Sequence, residues 1–370
     1  MKRVEADETP ESDAFPGTPH PRHAQRLIGH AAAEAEMLAS YRSGRLAHAW
    51  LMGGPEGVGK ATLAWRFARF LFANPDPTAG PVRAARDLAV DPDLPPARQL
   101  AALAHPDFAL VRRLWRPTAK TFMSEIAVEV VREAMRVFHM SAAFGGWRIA
   151  IIDCAEDLNP SSANALLKIV EEPPARSLIL IVSHRPGQVM PTIRSRCRRL
   201  MLEALSEREI AEVVTTLGPP FSESDPAAVA AAAARGRGSV REALLTLSPE
   251  MEGLSALIDR TFAGLPDPDP RLAARLAEAL ASRGSGEALQ AFHRRLCDWL
   301  ADYAFQTASS PTRAEDIGAL WDRLREAARE TETLNLDRRL YALSAFAEIA
   351  AVERRRRQWA GGGGSPYTAK

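Results

Sequence analysis

The stretch ANALLKIVEEPP, Ala163 to Pro174, runs into the apolar segment Leu178-Ile-Leu-Ile-Val182 and then Ser195-Arg196-Cys197. Just before it, Asn159-Pro160 offers a helix cap followed by a proline in the first turn, where a missing N–H costs nothing. Pro173-Pro174 cannot continue a helix. A helix is therefore expected from Pro160 up to Pro173, followed by a strand at Leu178–Val182. Upstream, Arg148-Ile-Ala-Ile-Ile-Asp153 is a near-continuous apolar run, as expected of a strand buried on both faces of a parallel sheet. Further out, His48–Met52, Phe108–Val111 and Arg198–Leu202 read as strands, and Lys60–Phe72 and Glu125–His139 as helices. The proline-rich residues 74–105 read as a loop or irregular insertion. Strand and helix alternate, which predicts an α/β sheet with helices on both faces.

The expected strand at His48–Met52 leads into Gly54-Pro-Glu-Gly57-Val-Gly59-Lys60. A glycine-rich loop opening a helix gathers backbone N–H groups and the positive end of the helix dipole around a phosphate. Lys60 adds a point charge for the β- and γ-phosphates. Only five of the 47 basic residues are lysines, which makes a lysine in the loop less of an accident. The Ser or Thr that normally follows and ligates magnesium is replaced by Ala61. Thr62 comes one residue later, turned roughly 100° round the helix, and is a poor substitute. The loop thus favours ATP binding and Ala61 argues against it, so that question stays open.

Beyond Glu203 the pattern becomes helical. Ser206 with Glu209, and Ser239 with Glu242, read as capping boxes, and Asp225-Pro226 opens a helix between them. Three short helices ending near Leu247 form a small lid, with Arg241 in the first turn of the last. From Leu254 onward, stripes at Leu272/Leu276/Leu280, Leu289/Phe292/Leu296/Trp299 and Leu336/Leu340/Leu343/Ala347 predict an all-α bundle. Each stripe reads as bundle core or, alternatively, as a seam between subunits.

The expected layout is a disordered leader (1–23), a nucleotide-binding-like module (24–203), a helical lid (204–250), a helical domain (251–358) and a flexible tail (359–370). Apolar residues make up 46% and charged residues 25% of the chain, as in an ordinary globular protein. No run approaches the roughly 18 apolar residues of a membrane span, and the leader lacks a signal segment. A cytoplasmic location without membrane contact is expected. The net charge of +1 argues against a protein that works purely by gripping nucleic acid. Cys154, Cys197 and Cys297 are far apart and form no C-x-x-C pair, so neither a metal ribbon nor a disulfide framework is expected.

The order of these motifs resembles the clamp-loader branch of the AAA+ ATPases. The resemblance runs from Leu27-Ile-Gly-His30 to about Ala350, strongest over Ala47–Leu202. It implies a RecA-like AAA+ module, a lid and a C-terminal collar that joins a pentameric ring with the other clamp-loader subunits. Through that ring the chain would meet a sliding clamp and primer-template DNA, within a DNA polymerase holoenzyme but without polymerase chemistry of its own. By the resemblance, Gly54, Gly57, Gly59, Lys60 and Thr62 line the phosphate site. Asp153 takes the place of the aspartate that holds magnesium and its waters. Ser183 and Arg241 are sensors of the γ-phosphate, and Arg196 acts catalytically in trans on a neighbour's ATP. The water-activating glutamate of active relatives is replaced by Cys154, whose thiol, with an ordinary pKa of about 8.5, is a poor base. Some relatives carry a cysteine zinc module, but residues 73–105 here hold no cysteine, so no zinc is expected. These departures imply a non-motor subunit with little or no ATPase activity. The alternative is an ATP-hydrolysing motor subunit or another AAA+ ATPase.

Overall fold

The structure is a computed structural model that describes residues 10–118, 121–281, 286–307, 311–333 and 336–361. Its strands are β1 (Ala49–Gly53), β2 (Phe108–Arg112), β3 (Trp115–Arg116), β4 (Thr121–Phe122), β5 (Arg148–Asp153), β6 (Ser177–Ser183) and β7 (Arg198–Met201). Five of them form a parallel sheet in the order β2-β5-β6-β1-β7, and β3 and β4 make a small antiparallel ribbon. The central strands β1 and β6 are buried along their whole length, whereas the edge strand β7 is mostly exposed.

Because side chains alternate across a strand, the sheet feeds two cores. Trp50, Met52, Ile149, Ile151, Leu178, Leu180 and Val182 point to one face. There they meet α1 (Ala31–Arg42) and α2 (Lys60–Ala73). Ala49, Leu51, Ala150, Ile152, Ile179 and Ile181 point to the other, where α5 (Val128–His139), α6 (Pro160–Glu171) and the short α7 (Pro191–Arg194) pack. A parallel five-stranded sheet with helices on both faces is the α/β architecture expected from the alternation of strand and helix. The supposed loop 74–105 contains the short helices α3 (Gly80–Ala84) and α4 (Pro95–Ala101). Both carry proline in the first turn (Pro81 and Pro95), and Val82, Leu88 and Leu100 join the first core. Prolines that looked like breakers therefore serve as first-turn residues.

Residues 1–9 of the expected leader lie outside the described residues. Residues 10–23, expected to be disordered, are packed. Glu11 pairs with Arg22 and Arg112, and Asp13 pairs with Arg112 and His20. The Asp13 side chain is only 1% exposed. Acidic residues that suggested a solvated tail are consumed by specific cations.

The lid consists of α8 (Glu207–Thr216), α9 (Pro226–Arg235) and α10 (Val240–Leu247), and it belongs to the same compact unit as the sheet. Both halves of the Ser206–Glu209 capping box form. At Ser239 the hydroxyl accepts from the Glu242 amide. Ile210, Val214, Phe221, Val229 and Leu244 make the lid core.

A second unit runs from Ser248 onward. It contains α11 (Pro249–Phe262), α12 (Pro270–Ala281), α13 (Gly286–Thr307), α14 (Pro311–Thr333) and α15 (Arg338–Gly361). Leu276 and Leu280, together with Leu289, Phe292 and Leu296, are core as expected. The third stripe is not: Leu336, Leu340, Leu343 and Ala347 are all exposed. The buried face of α15 is Tyr341, Ala342, Ala345, Phe346 and Ile349. The alanines let the helix approach closely, a preference that counting leucines does not register. The tail beyond Gly361 lies outside the described residues. No described helix is long and apolar enough to cross a membrane.

Candidate nucleotide site and arginine surface

The loop between β1 and α2 has the backbone that its glycines permit. Gly54 (φ 140°) lies against the Leu202 carbonyl, where an added Cβ would stand 2.3 Å from the oxygen. Gly57 (φ 76°) lies against the lid, where a Cβ would meet Ser239 Oγ at 2.4 Å and the Arg241 backbone nitrogen at 2.8 Å. The Val240 N–H donates to the Gly57 carbonyl, so loop and lid touch directly. Lys60, 3% exposed, donates from Nζ to the carbonyl oxygens of Gly54 (2.8 Å) and Pro55. Burial pulls its pKa down to about 8 against the opposing pull of Asp153, Glu56 and Glu156. Ala61 packs toward the core and Thr62 is half-buried one step further round α2.

Asp153 ends β5, in register with Arg112 at the end of β2. It is 8% exposed, and burial first, then the nearby Asp13 carboxylate, pushes its pKa up to about 8, while Lys60 opposes the shift. Cys154 follows, equally enclosed. Burial and then the carboxylates of Asp157, Glu156 and Asp153 push its thiol well above the usual range. A neutral thiol in such company is no base. Burial also raises Asp157, although Arg113 pairs with it at 2.9 Å.

Ser183, at the end of β6, is fully buried and donates its hydroxyl to Glu156 at 2.7 Å. The Arg185 amide donates to the same carboxylate oxygen. Burial pushes Glu156 up, but these donors hold it below its ordinary value. No local feature of the sequence signals the pairing of Ser183 with Glu156, 27 residues away. Arg241 Nε pairs with Glu56 of the loop at 3.2 Å, and its guanidinium lies 5.4 Å from the centre of the Phe15 ring. The fold thus brings Lys60, Asp153, Ser183 and Arg241 together around the loop.

Asp153, Cys154 and His184 each place a ligand atom within 4.8 Å of the others. Such donors suit a borderline metal such as zinc better than magnesium. Ligation requires a thiolate, and the surrounding carboxylates oppose its formation. Lys60 is also close enough to hold His184 below its ordinary pKa, after burial. The set is not a ready metal centre. For a magnesium–triphosphate the loop and Lys60 fit, but Ala61 offers no hydroxyl and the Ser183 hydroxyl is already engaged.

Arg196 has a different setting, between α7 and β7. Its side chain is 41% exposed and pairs with Glu171 at the end of α6 at 2.8 Å. It also donates to the Thr192 carbonyl at 3.0 Å. The two sequence signatures, the Glu171-Glu-Pro-Pro end and Ser-Arg-Cys, therefore meet at the surface. An exposed ion pair of this kind holds an arginine by only about 0–1 kcal/mol.

The family described as "DNA polymerase III, delta subunit" matches residues 29–206. The delta' subunit of DNA polymerase III from Pseudomonas aeruginosa is 33% identical over 151 residues, 41% of this chain and 42% of that protein. The gamma/tau subunit from Mycobacterium tuberculosis is 28% identical over 192 residues, 52% of this chain and 30% of that one. The chain thus spans half or less of the length of these relatives. Among solved structures, a DNA polymerase III gamma subunit-related protein from Thermotoga maritima aligns with 86% of this chain and 100% of its own. Its TM-score is 0.45 at 14% identity. Over residues 29–206, a little under half of its length, this chain is thus similar to DNA polymerase III subunits of the delta and delta' kind.

Proposed function

We propose that the chain is a non-motor, delta-prime-type subunit of the clamp loader, and that it presents Arg196 to the ATP of a neighbouring subunit. The observation that carries this reading is the contrast between two places on the chain. The position that should activate water holds Cys154, a buried thiol pushed far from ionisation. Arg196, in contrast, stands half in solvent, held by a surface ion pair with Glu171 and a hydrogen bond to the Thr192 carbonyl, contacts that little energy can break. An always-charged, planar guanidinium offered across a subunit boundary stabilises charge that builds up on a transferring phosphoryl group. The unburied stripe Leu336/Leu340/Leu343 supports the seam alternative for that face of the second unit, as one of the contacts that hold a pentameric ring. In that ring the motor and delta-type subunits would be partners. The sliding clamp and primer-template DNA would be met through the complex in the cytoplasm, and ATP would be split by the neighbours.

The test is a reconstituted loader carrying Arg196→Ala. Clamp- and DNA-stimulated ATP turnover should fall by at least ten-fold while the melting temperature of the isolated chain is unchanged. Turnover and clamp loading at the unmodified rate would dismiss the trans role. A second reading, an ATPase motor, is favoured by the intact Gly54–Lys60 cradle and by the gamma/tau relatives. Robust ATP turnover by the purified chain, abolished in Lys60→Ala, would establish it.

A further inference from the structure

The ordered leader runs between the two sides of the nucleotide cleft. Its base lies at the end of the sheet: Glu11 and Asp13 both bind Arg112, the register partner of Asp153. His20 closes this base by pairing with Asp13 at 3.0 Å and by placing its ring edge-on to Trp65 of α2, 5.6 Å between centres. Arg69 holds the chain just beyond by donating to the carbonyls of Arg22 and Ala24, and Arg66 does the same at Gln25. The tip of the leader reaches the lid. Phe15 packs on the lid core, edge-on to Phe221 at 6.2 Å and against the guanidinium of Arg241. Arg241 is the residue that joins the lid to Glu56 of the phosphate loop.

The strand end at Asp153 and the lid at Arg241 are therefore both reached within three residues of one segment. Asp13 lies within electrostatic reach of Asp153, and Phe15 covers Arg241. We infer that residues 11–20 form a strap across the nucleotide cleft, which this chain carries as its own ligand in place of a nucleotide. The strap brings two carboxylates to Arg112 at the end of the sheet, beside Asp153, and lays an aromatic ring against Arg241 of the lid. A nucleotide can enter only in the fraction of molecules whose strap has lifted, and its apparent affinity falls by that fraction. The inference rests on Gly54–Lys60 being a nucleotide cradle. It is independent of Arg196, so a failed strap and a failed trans arginine are separate results.

The experiment measures binding of a fluorescent ATP analogue, with magnesium, to the full chain and to Phe15→Ala. Loss of the ring unlatches the tip of the strap from the lid, so binding should tighten roughly ten-fold or more. The gain should vanish in Phe15→Ala combined with Lys60→Ala. In the unmodified chain at saturating nucleotide, hydrogen exchange at the amides of residues 10–20 should accelerate, which tests the strap without a substitution. Equal affinity of the two chains, no binding by either, a gain that survives Lys60→Ala, or bound nucleotide with residues 10–20 still protected would each overturn the inference.

Discussion

Asp153→Asn should make the chain more stable at pH 8 than the unmodified protein, and should do so much less at pH 5. The Asp153 carboxyl titrates near 8 in the folded state, against an ordinary value of 3.8. The folded state therefore holds a proton that the unfolded chain has released across this window. Stability then falls as pH rises from about 4 toward 8, because the unfolded state binds fewer protons. Each pH unit inside the window corresponds to about 1.4 kcal/mol. Between pH 5 and pH 8 this sets an upper bound of about 4 kcal/mol, which relaxation at the cleft reduces to about 2 kcal/mol. For a unit of this size that is a shift of about 4–8 °C in Tm. The assay is calorimetry of both chains at the two pH values, with chelator present and nucleotide absent. Asparagine keeps the shape and cannot ionise, so the Tm difference between variant and parent should widen with alkalinity. Parallel pH profiles would show that Asp153 is not held protonated by its surroundings, and the electrostatic account of the site would be wrong.

Two further substitutions probe the packing. Glu34 and Arg66 form a buried pair at 2.6 Å, with side chains 8% and 3% exposed. Glu34→Ala leaves the guanidinium uncompensated and should cost about 3–5 kcal/mol in urea unfolding, whereas replacing both residues by apolar ones of similar volume should recover most of it. A single-variant cost below about 1 kcal/mol would contradict the burial of that pair. In the second unit, Phe292→Ala should cost about 3–5 kcal/mol. Leu340→Ala, on the solvent side of α15, should change the isolated chain by no more than about 0.5 kcal/mol. A comparable loss at Leu340 would mean that α15 is turned the other way.

Much of the module could be read from local chemistry. The runs at Arg148–Asp153 and Leu178–Val182 are too uniformly apolar for an exposed strand, and a cap with proline at one end and two prolines at the other bracket α6. The glycines and Lys60 announced the phosphate loop, and the loss of the following hydroxyl and of the acid after Asp153 was plain from Ala61 and Cys154. What could not be read were partners distant in sequence. Arg112 and Glu11 lie far apart in the chain, as do Ser183 and Glu156. No local periodicity encodes a pairing made by bringing strand ends together.

The same division holds for the candidate site and the second unit. Spacing placed Arg196 in a recognisable motif, but only folding brought it to Glu171 and left it half in solvent. Leucines at helical spacing on α15 read as core or, alternatively, as a seam between subunits, and the fold buries alanines and aromatic rings on the adjacent face instead. The sequence by itself determined the main strands and long helices of the sheet module and which chemical groups the phosphate loop can offer, because capping, chain stiffness and alternation act within a few residues. Tertiary structure alone decided that acidic residues near the start of the chain become a buried latch. Whether a carboxylate is solvated or paired depends on which cation the fold brings to it.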